Sequence, residues 1–173
     1  MPSLTDVLCT TCGLCCDGSL FADVELAGSD ESSALELLGL EIEDADRESR
    51  GLLLQPCRAL KGTRCSIYPH RPNCCRTFEC RLLQQARRAE VTLEYAKAEI
   101  TSARSQIAHI QSLIGALGPG GELLPLKERC AEALARSEAA DIGAEAARKR
   151  NELEAAMTTL EQQLGRTFLD GSR

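Results

Sequence analysis

The 173-residue sequence predicts a mainly α protein in two parts. A small cysteine-rich domain occupies 1–81, and a long antiparallel, coiled-coil-like helical hairpin occupies 82–173, with its turn near 118–122. Three observations carry this reading. Nine of the ten cysteines precede position 81. Charge divides the same way: residues 1–56 hold 12 acids against only Arg47 and Arg50, whereas Arg58, Lys61, Arg64, Arg71, Arg76 and Arg81 face Glu79 alone within 57–81. From Leu82 onward apolar or small residues recur in an unbroken alternation of four and three.

In the first part, Ser29-Asp30-Glu31 is expected to open a short helix through Leu35, Leu37 and Leu38 that Gly39 closes. The acidic run Glu41 to Glu48 reads as a solvated loop. Leu52-Leu53-Leu54 before Pro56 reads as a short extended segment. Only five aromatic residues occur and there is no Trp, so about 80 residues have little with which to build a core.

The second part opens on the seam Leu82, Ala86, Ala89, Leu93, Ala96, Ile100, Ala103, Ile107, Ile110, Ile114 and Leu117. Read as one helix, it would be about 54 Å long. Gly118-Pro119-Gly120-Gly121 then breaks it; without the Lys and Ser/Thr of a phosphate loop, this is a turn. A second helix is expected from about Leu124 to Phe168, with the stripe Leu126, Cys130, Ala133, Ala140, Ala144, Ala147, Leu153, Met157, Leu160 and Leu164. Its phase shifts near Gly143, which predicts a bend. The apolar stripe gives a reason for the arm to pair with a second copy or a protein partner.

Composition removes several classes of function. A formal charge of −6 with no long basic run argues against nucleic acid as partner. The longest uncharged stretch, 105–121, is too short and too polar to span a bilayer. The opening residues lack the basic and apolar regions of a secretory signal, so the expected location is cytoplasmic. In a reducing compartment a dense cysteine set points to metal or redox chemistry rather than to disulfides. No Ser/His/Asp or Cys/His arrangement stands out, so the reading leans away from an enzyme.

The first cysteine cluster is Cys9-Thr10-Thr11-Cys12-Gly13-Leu14-Cys15-Cys16. Overlapping C-x-x-C steps let thiolates face one centre, and Gly13 eases the turn. The adjacent pair Cys15 and Cys16 is harder to aim at one ion, which raises the prospect of two centres. The second cluster is Cys57, Cys65, Cys74, Cys75 and Cys80. Ligands so far apart in sequence would tie the ends of the domain together, as a staple must in so small a fold.

These residues resemble the CxxCxxCC, or YkgJ-like, cysteine-cluster family over roughly positions 9–81. The resemblance rests on Cys9-x-x-Cys12-Gly13-x-Cys15-Cys16, Cys57, Cys65-x-Ile67-Tyr68, and Arg71-Pro72-x-x-Cys75-Arg76-x-Phe78-x-Cys80. It implies zinc or iron bound by Cys9, Cys12, Cys15, Cys16, Cys57, Cys65, Cys75 and Cys80, with Cys74 outside the pattern. Zinc and iron-sulfur, including a [4Fe-4S] cluster, are not separated by an all-thiolate ligand set. The C-x-x-C-x-x-C run looks like the opening of a ferredoxin, while the C-x-x-x-C-x-x-C spacing of radical-SAM enzymes is absent. Arg71 and Arg76 are candidates to donate to sulfur, against packing or ion pairs with the acidic segment.

The implied function is metal binding, with the helical arm serving self-association or docking. The alternative is a redox or protein-modifying enzyme component built on an iron-sulfur cluster, since some relatives of this domain resemble flagellin lysine methylases. His70 is read as a surface residue rather than a ligand, His109 as a solvated helix position, and Cys130 as a small hydrophobe.

Overall fold

The structure is a computed structural model, and it describes residues 3–45, 50–118, 120–121, 123–139 and 143–169. It is mainly α, with seven α-helices and five short strands among the described residues. The chain separates into two compact units, Met1–Glu79 and Cys80–Arg173.

The first unit opens with α1, Leu4–Cys12. Ser3 caps it: its hydroxyl accepts from the Asp6 amide at 3.1 Å, and Asp6 accepts in return from the Ser3 amide at 3.0 Å. Gly13 ends the helix in the left-handed region at φ 75°, which glycine reaches without the cost a side chain would bring.

Three strands follow, β1 (Asp23–Glu25), β2 (Ile42–Ala45) and β3 (Arg50–Leu54), in an antiparallel sheet of order β1-β3-β2. Leu53 lies opposite both Val24 and Ile42 and is buried, so the triple-leucine segment is the central strand. The acidic run is not wholly a loop: Ile42–Ala45 pairs with β3 because alternation sends Ile42 toward the core while Glu43 remains exposed. The remainder of that run, 46–48, lies outside the described residues.

Helix α2, Ser29–Leu37, packs on β3. A Cβ on Gly51 would collide with the Ile42 and Ser32 side chains, so glycine is what lets the helix and β2 close on the central strand. Glu31 accepts from the Ala27 amide at 2.9 Å and from the Asn73 amide at 2.6 Å, joining the start of α2 to the start of α3, Asn73–Thr77. Gly39 follows α2 at φ 80°, as expected of a helix-closing glycine.

A two-stranded hairpin, β4 (Leu60–Lys61) with β5 (Arg64–Cys65), and a 3-10 turn, Tyr68–His70, complete the unit. Its buried cluster is small: Leu26, Leu35, Leu40, Leu53 and Ala59, with Cys57, Cys65, Cys74 and Ile67 packed against it. Phe21 and Phe78 meet edge to face, their centroids 5.1 Å apart.

The second unit departs from the expected two-helix arm. The first long helix is interrupted: α4 covers Arg81–Arg87 and α5 covers Leu93–Ala116. Between them Ala89 sits at φ 56°, and Thr92 caps α5 by accepting from the Tyr95 amide at 3.1 Å. The left-handed Ala89 ends α4 and the Thr92 cap starts α5, even though the apolar period runs through both.

The expected second helix is likewise two, α6 (Leu126–Ala139) and α7 (Ala144–Thr167), with Gly143 at the N-cap of α7. Ala140, placed in that stripe by the sequence reading, lies outside the described residues. Helices α5 and α7 pack together and α6 packs against both. Glu99 meets Thr167, Gln106 meets Gln163 and His109 meets Glu152, so α5 and α7 run antiparallel. The α5 seam residues Ala96, Ile100, Ala103, Ile107, Ile110 and Ile114 are all buried within this unit. Much of the apolar stripe is thus covered inside the chain itself.

Candidate metal centre

Local structure presents the cysteines in three ways. Cys9 and Cys12 lie three positions apart on α1, hence on neighbouring faces of one helix. Cys15 and Cys16 lie in the turn that Gly13 starts, where the Gly13 carbonyl accepts from the amides of Cys16 and Asp17 at 2.9 and 3.0 Å. Cys57 follows β3, Cys65 ends β5, and Cys74 and Cys75 lie on α3. One backbone bond joins the two clusters directly: the Cys57 amide donates to the Cys16 carbonyl at 2.8 Å.

Electrostatics show which sulfurs are neighbours. Burial pushes the Cys16 thiol up to about 12, and the charges Cys57, Cys65 and Asp17 would carry push the same way, while Arg71 opposes them. Burial also raises Cys57, with Cys65 adding to it, although the amides of Ala59 and Leu60 bond to Cys57 and favour its thiolate. Amides two and three residues beyond a cysteine are well placed to stabilise a metal-bound thiolate.

Cys75 is driven strongly upward by its hydrogen bond with Cys74, then by burial and by the charges of Cys74, Cys16 and Cys57. Cys74 benefits from that same bond and is drawn down to about 7. Cys16, Cys57, Cys65, Cys74 and Cys75 are free thiols.

This donor set fits a soft divalent cation or an iron-sulfur core. Several buried thiols whose ionisation is mutually unfavourable lack the positive charge that would let them ionise together, and a bound metal supplies it. Among the described residues, no group of three or more His, Cys, Asp or Glu side chains stands in a closed ligating arrangement.

Of the sequence-derived set, Cys57 and Cys65 act electrostatically on Cys16, and Cys16 and Cys57 on Cys75, whose hydrogen-bond partner is Cys74. Cys9 acts electrostatically on Tyr68, while Cys12 and Cys15 are half-buried nearby in sequence. Cys80 is the first residue of the second unit and precedes α4.

Of the two arginines proposed from sequence, Arg71 is engaged: its guanidinium carbon stands 3.6 Å from the Tyr68 ring centroid and its Nε donates to the Tyr68 carbonyl at 3.2 Å. Arg76 is exposed on α3. Arg58 pairs with Glu41 at 2.7 Å, an ion pair with the start of the acidic segment. His70 is exposed, and Cys130 is buried on α6.

Sequence reasoning missed the contribution of Asp6. The Tyr68 hydroxyl donates to Asp6 Oδ1 at 2.9 Å, and hydrogen bonds from Ser3 and then Tyr68 hold that carboxyl below the usual carboxylate range. The Ser3-x-x-Asp6 spacing of a capping box was the available signal. A second strap joins Thr63 Oγ1 to the Thr10 carbonyl at 2.6 Å.

The first unit is a small α and β fold whose half-buried cysteines pack against a leucine core. The chain belongs to the CxxCxxCC family, described as a "Putative zinc- or iron-chelating domain", whose profile matches residues 8–107. The match runs farther than the sequence reading expected: instead of stopping near Arg81 it covers α4 and continues into α5 as far as Ile107. No curated protein and no solved structure matches the chain. Among the described residues, no helix is long and apolar enough to cross a membrane.

Proposed function

We propose that the first unit binds zinc or iron through its cysteine cluster and that the bound metal completes its fold. The observation carrying this reading is the family match over residues 8–107, supported by the backbone bond from Cys57 to Cys16 and by the charges of Cys57 and Cys65 acting on Cys16. Cys9, Cys12 and Cys15 supply further thiols for the same centre or a second one. A metal there would supply cationic charge and bonds between segments that a small leucine core holds weakly.

The test is anaerobic purification of the reduced full chain, followed by elemental analysis and a visible spectrum on one sample. Zinc or iron in stoichiometric amount is the expected result, and protein holding neither would refute the reading. A colourless zinc protein would make the centre structural. Brown protein with iron and acid-labile sulfide would instead favour the redox alternative.

For the helical unit, the proposed role is docking or self-association. Its support is the heptad seam, and because α7 and α6 already cover most of that seam, a partner would meet the outer faces of the helices. Sedimentation over a wide concentration range tests self-association: one constant monomeric mass would remove it.

A further inference from the structure

Three side chains link the start of α1 to the segment that carries the second cysteine cluster. Asp6 is fixed first, by the Ser3 amide at 3.0 Å and the Ser3 hydroxyl at 2.7 Å, both to Oδ2. Its other oxygen, Oδ1, accepts from the Tyr68 hydroxyl at 2.9 Å, across 62 positions of sequence. The Tyr68 ring then carries the Arg71 guanidinium on its face at 3.6 Å, and the Tyr68 carbonyl accepts from Arg71 Nε at 3.2 Å. Both oxygens of Asp6 and two features of Tyr68 are therefore used.

We infer that Asp6, Tyr68 and Arg71 form a positioning chain, which ties the cysteine-bearing helix α1 to the segment carrying the second cluster and fixes the Arg71 cation within that segment. The inference rests on the metal-binding reading above. Geometry gives it direction. Tyr68 lies three residues after Cys65 and Arg71 three before Cys74, so anchoring them anchors the flanks of the second cluster. Asp6 lies about one helical turn before Cys9 and roughly two before Cys12 on α1, so it anchors the first.

The Arg71 guanidinium lies on the ring whose hydroxyl reaches Asp6, so its charge is held in one chain of contacts with α1. Stacking matters because a guanidinium lying flat on a ring keeps its orientation with little entropy left to lose on binding, whereas an unsupported cation would wander into solvent. The chain thus prepares the thiol cluster for a metal without itself touching the metal; these are positioning residues.

The experiment uses the full chain, reduced and anaerobic, with cobalt(II) as the probe. Thiolate-to-cobalt absorption reports how many sulfurs bind, and competition with zinc gives relative affinity. Arg71→Gln is expected to weaken cobalt binding by about tenfold, the scale on which residues supporting metal ligands act. Arg71→Lys, which keeps the charge but loses the flat stacking and the Nε bond, should recover part of that loss, a partial rescue that a purely structural role would not produce.

Tyr68→Phe keeps the ring and loses the hydroxyl, and should weaken binding less than Arg71→Gln. Asp6→Asn combined with Tyr68→Phe should cost no more than the larger single change, because both act on the one Asp6–Tyr68 hydrogen bond, which Asn weakens by losing the charge and Phe removes. Those two variants carry the test should Arg71→Gln fail to fold. Wild-type affinity in Tyr68→Phe, absence of rescue by lysine, or fully additive losses would each overturn the inference. A wild-type chain that binds neither cobalt nor zinc refutes the metal reading and this inference with it. Normal wild-type binding with indifferent variants refutes the inference alone.

Discussion

Gln163 shows what a single polar side chain does inside the helical unit. It is buried on α7, accepts from Gln106 Nε2, and donates to Glu99 Oε2 and Ser102 Oγ, each at 3.2 Å. Thr167 also reaches Glu99, at 3.3 Å. These bonds cross one interface at one height, so they favour a single register of α7 on α5, which an apolar seam alone specifies less sharply. Removing the amide takes a partner from half-buried Glu99 and Gln106, while Ser102 stays open to water. Gln163→Ala is therefore expected to lower the stability of the full chain by about 1 kcal/mol, the net worth of hydrogen bonds among half-buried groups. Urea denaturation followed by far-ultraviolet circular dichroism measures it. An unchanged midpoint would mean that the layer is already solvated.

At the scale of elements, the break between α4 and α5 shows how local chemistry can override a period. Ala89 adopts φ 56°, a conformation that costs an L-residue roughly 1 to 2 kcal/mol. Ala89→Gly relieves that strain at some cost in chain entropy, so it should raise stability by about 0.5 to 1 kcal/mol. Thr92→Ala removes the cap on α5 and should lower stability by about 1 kcal/mol. Thermal unfolding of both variants tests the pair, and a stabilised Thr92→Ala would contradict the cap.

The seam was legible because buried aliphatic residues must recur with the helix. The break was not, because Ala89 and Leu93 keep the heptad phase, and only the Thr92 hydroxyl and one left-handed residue mark the end. The same reasoning explains β2. Four acids surrounding Ile42 and Ala45 read as solvent-facing, and pairing with β3 depends on partners that are distant in sequence. The cysteines were legible because their spacing states their chemistry. The Tyr68 bond to Asp6 was not, since neither residue announces a partner 62 positions away.

At the scale of the molecule, folding of the metal-free first unit should be coupled to pH through its thiols. Cys16 rises from an ordinary 9.0 to about 12, mainly by burial, and Cys57 and Cys75 rise as well. Between those limits the unfolded chain has released protons that the folded chain still holds. Stability present below pH 9 is thus lost as the pH climbs toward about 12. Cys74 acts oppositely and lower: drawn down to about 7, it adds stability between there and 9 as pH rises.

The metal-free curve should therefore rise gently to about pH 9 and fall beyond it. Metal reverses the upper limb, because ligation ionises the thiols in the folded state and releases their protons, so affinity grows with pH until hydroxide competes. A ligand held a thousandfold above its dissociation constant would add about 4 kcal/mol. Melting curves of the reduced chain, with chelator or with zinc, should accordingly diverge as the pH is raised above 9.0, the chelated sample melting progressively earlier. If the two samples instead melted together at every pH, the thiols would not be buried neighbours awaiting a cation, and the second unit would have to account for the stability of the whole.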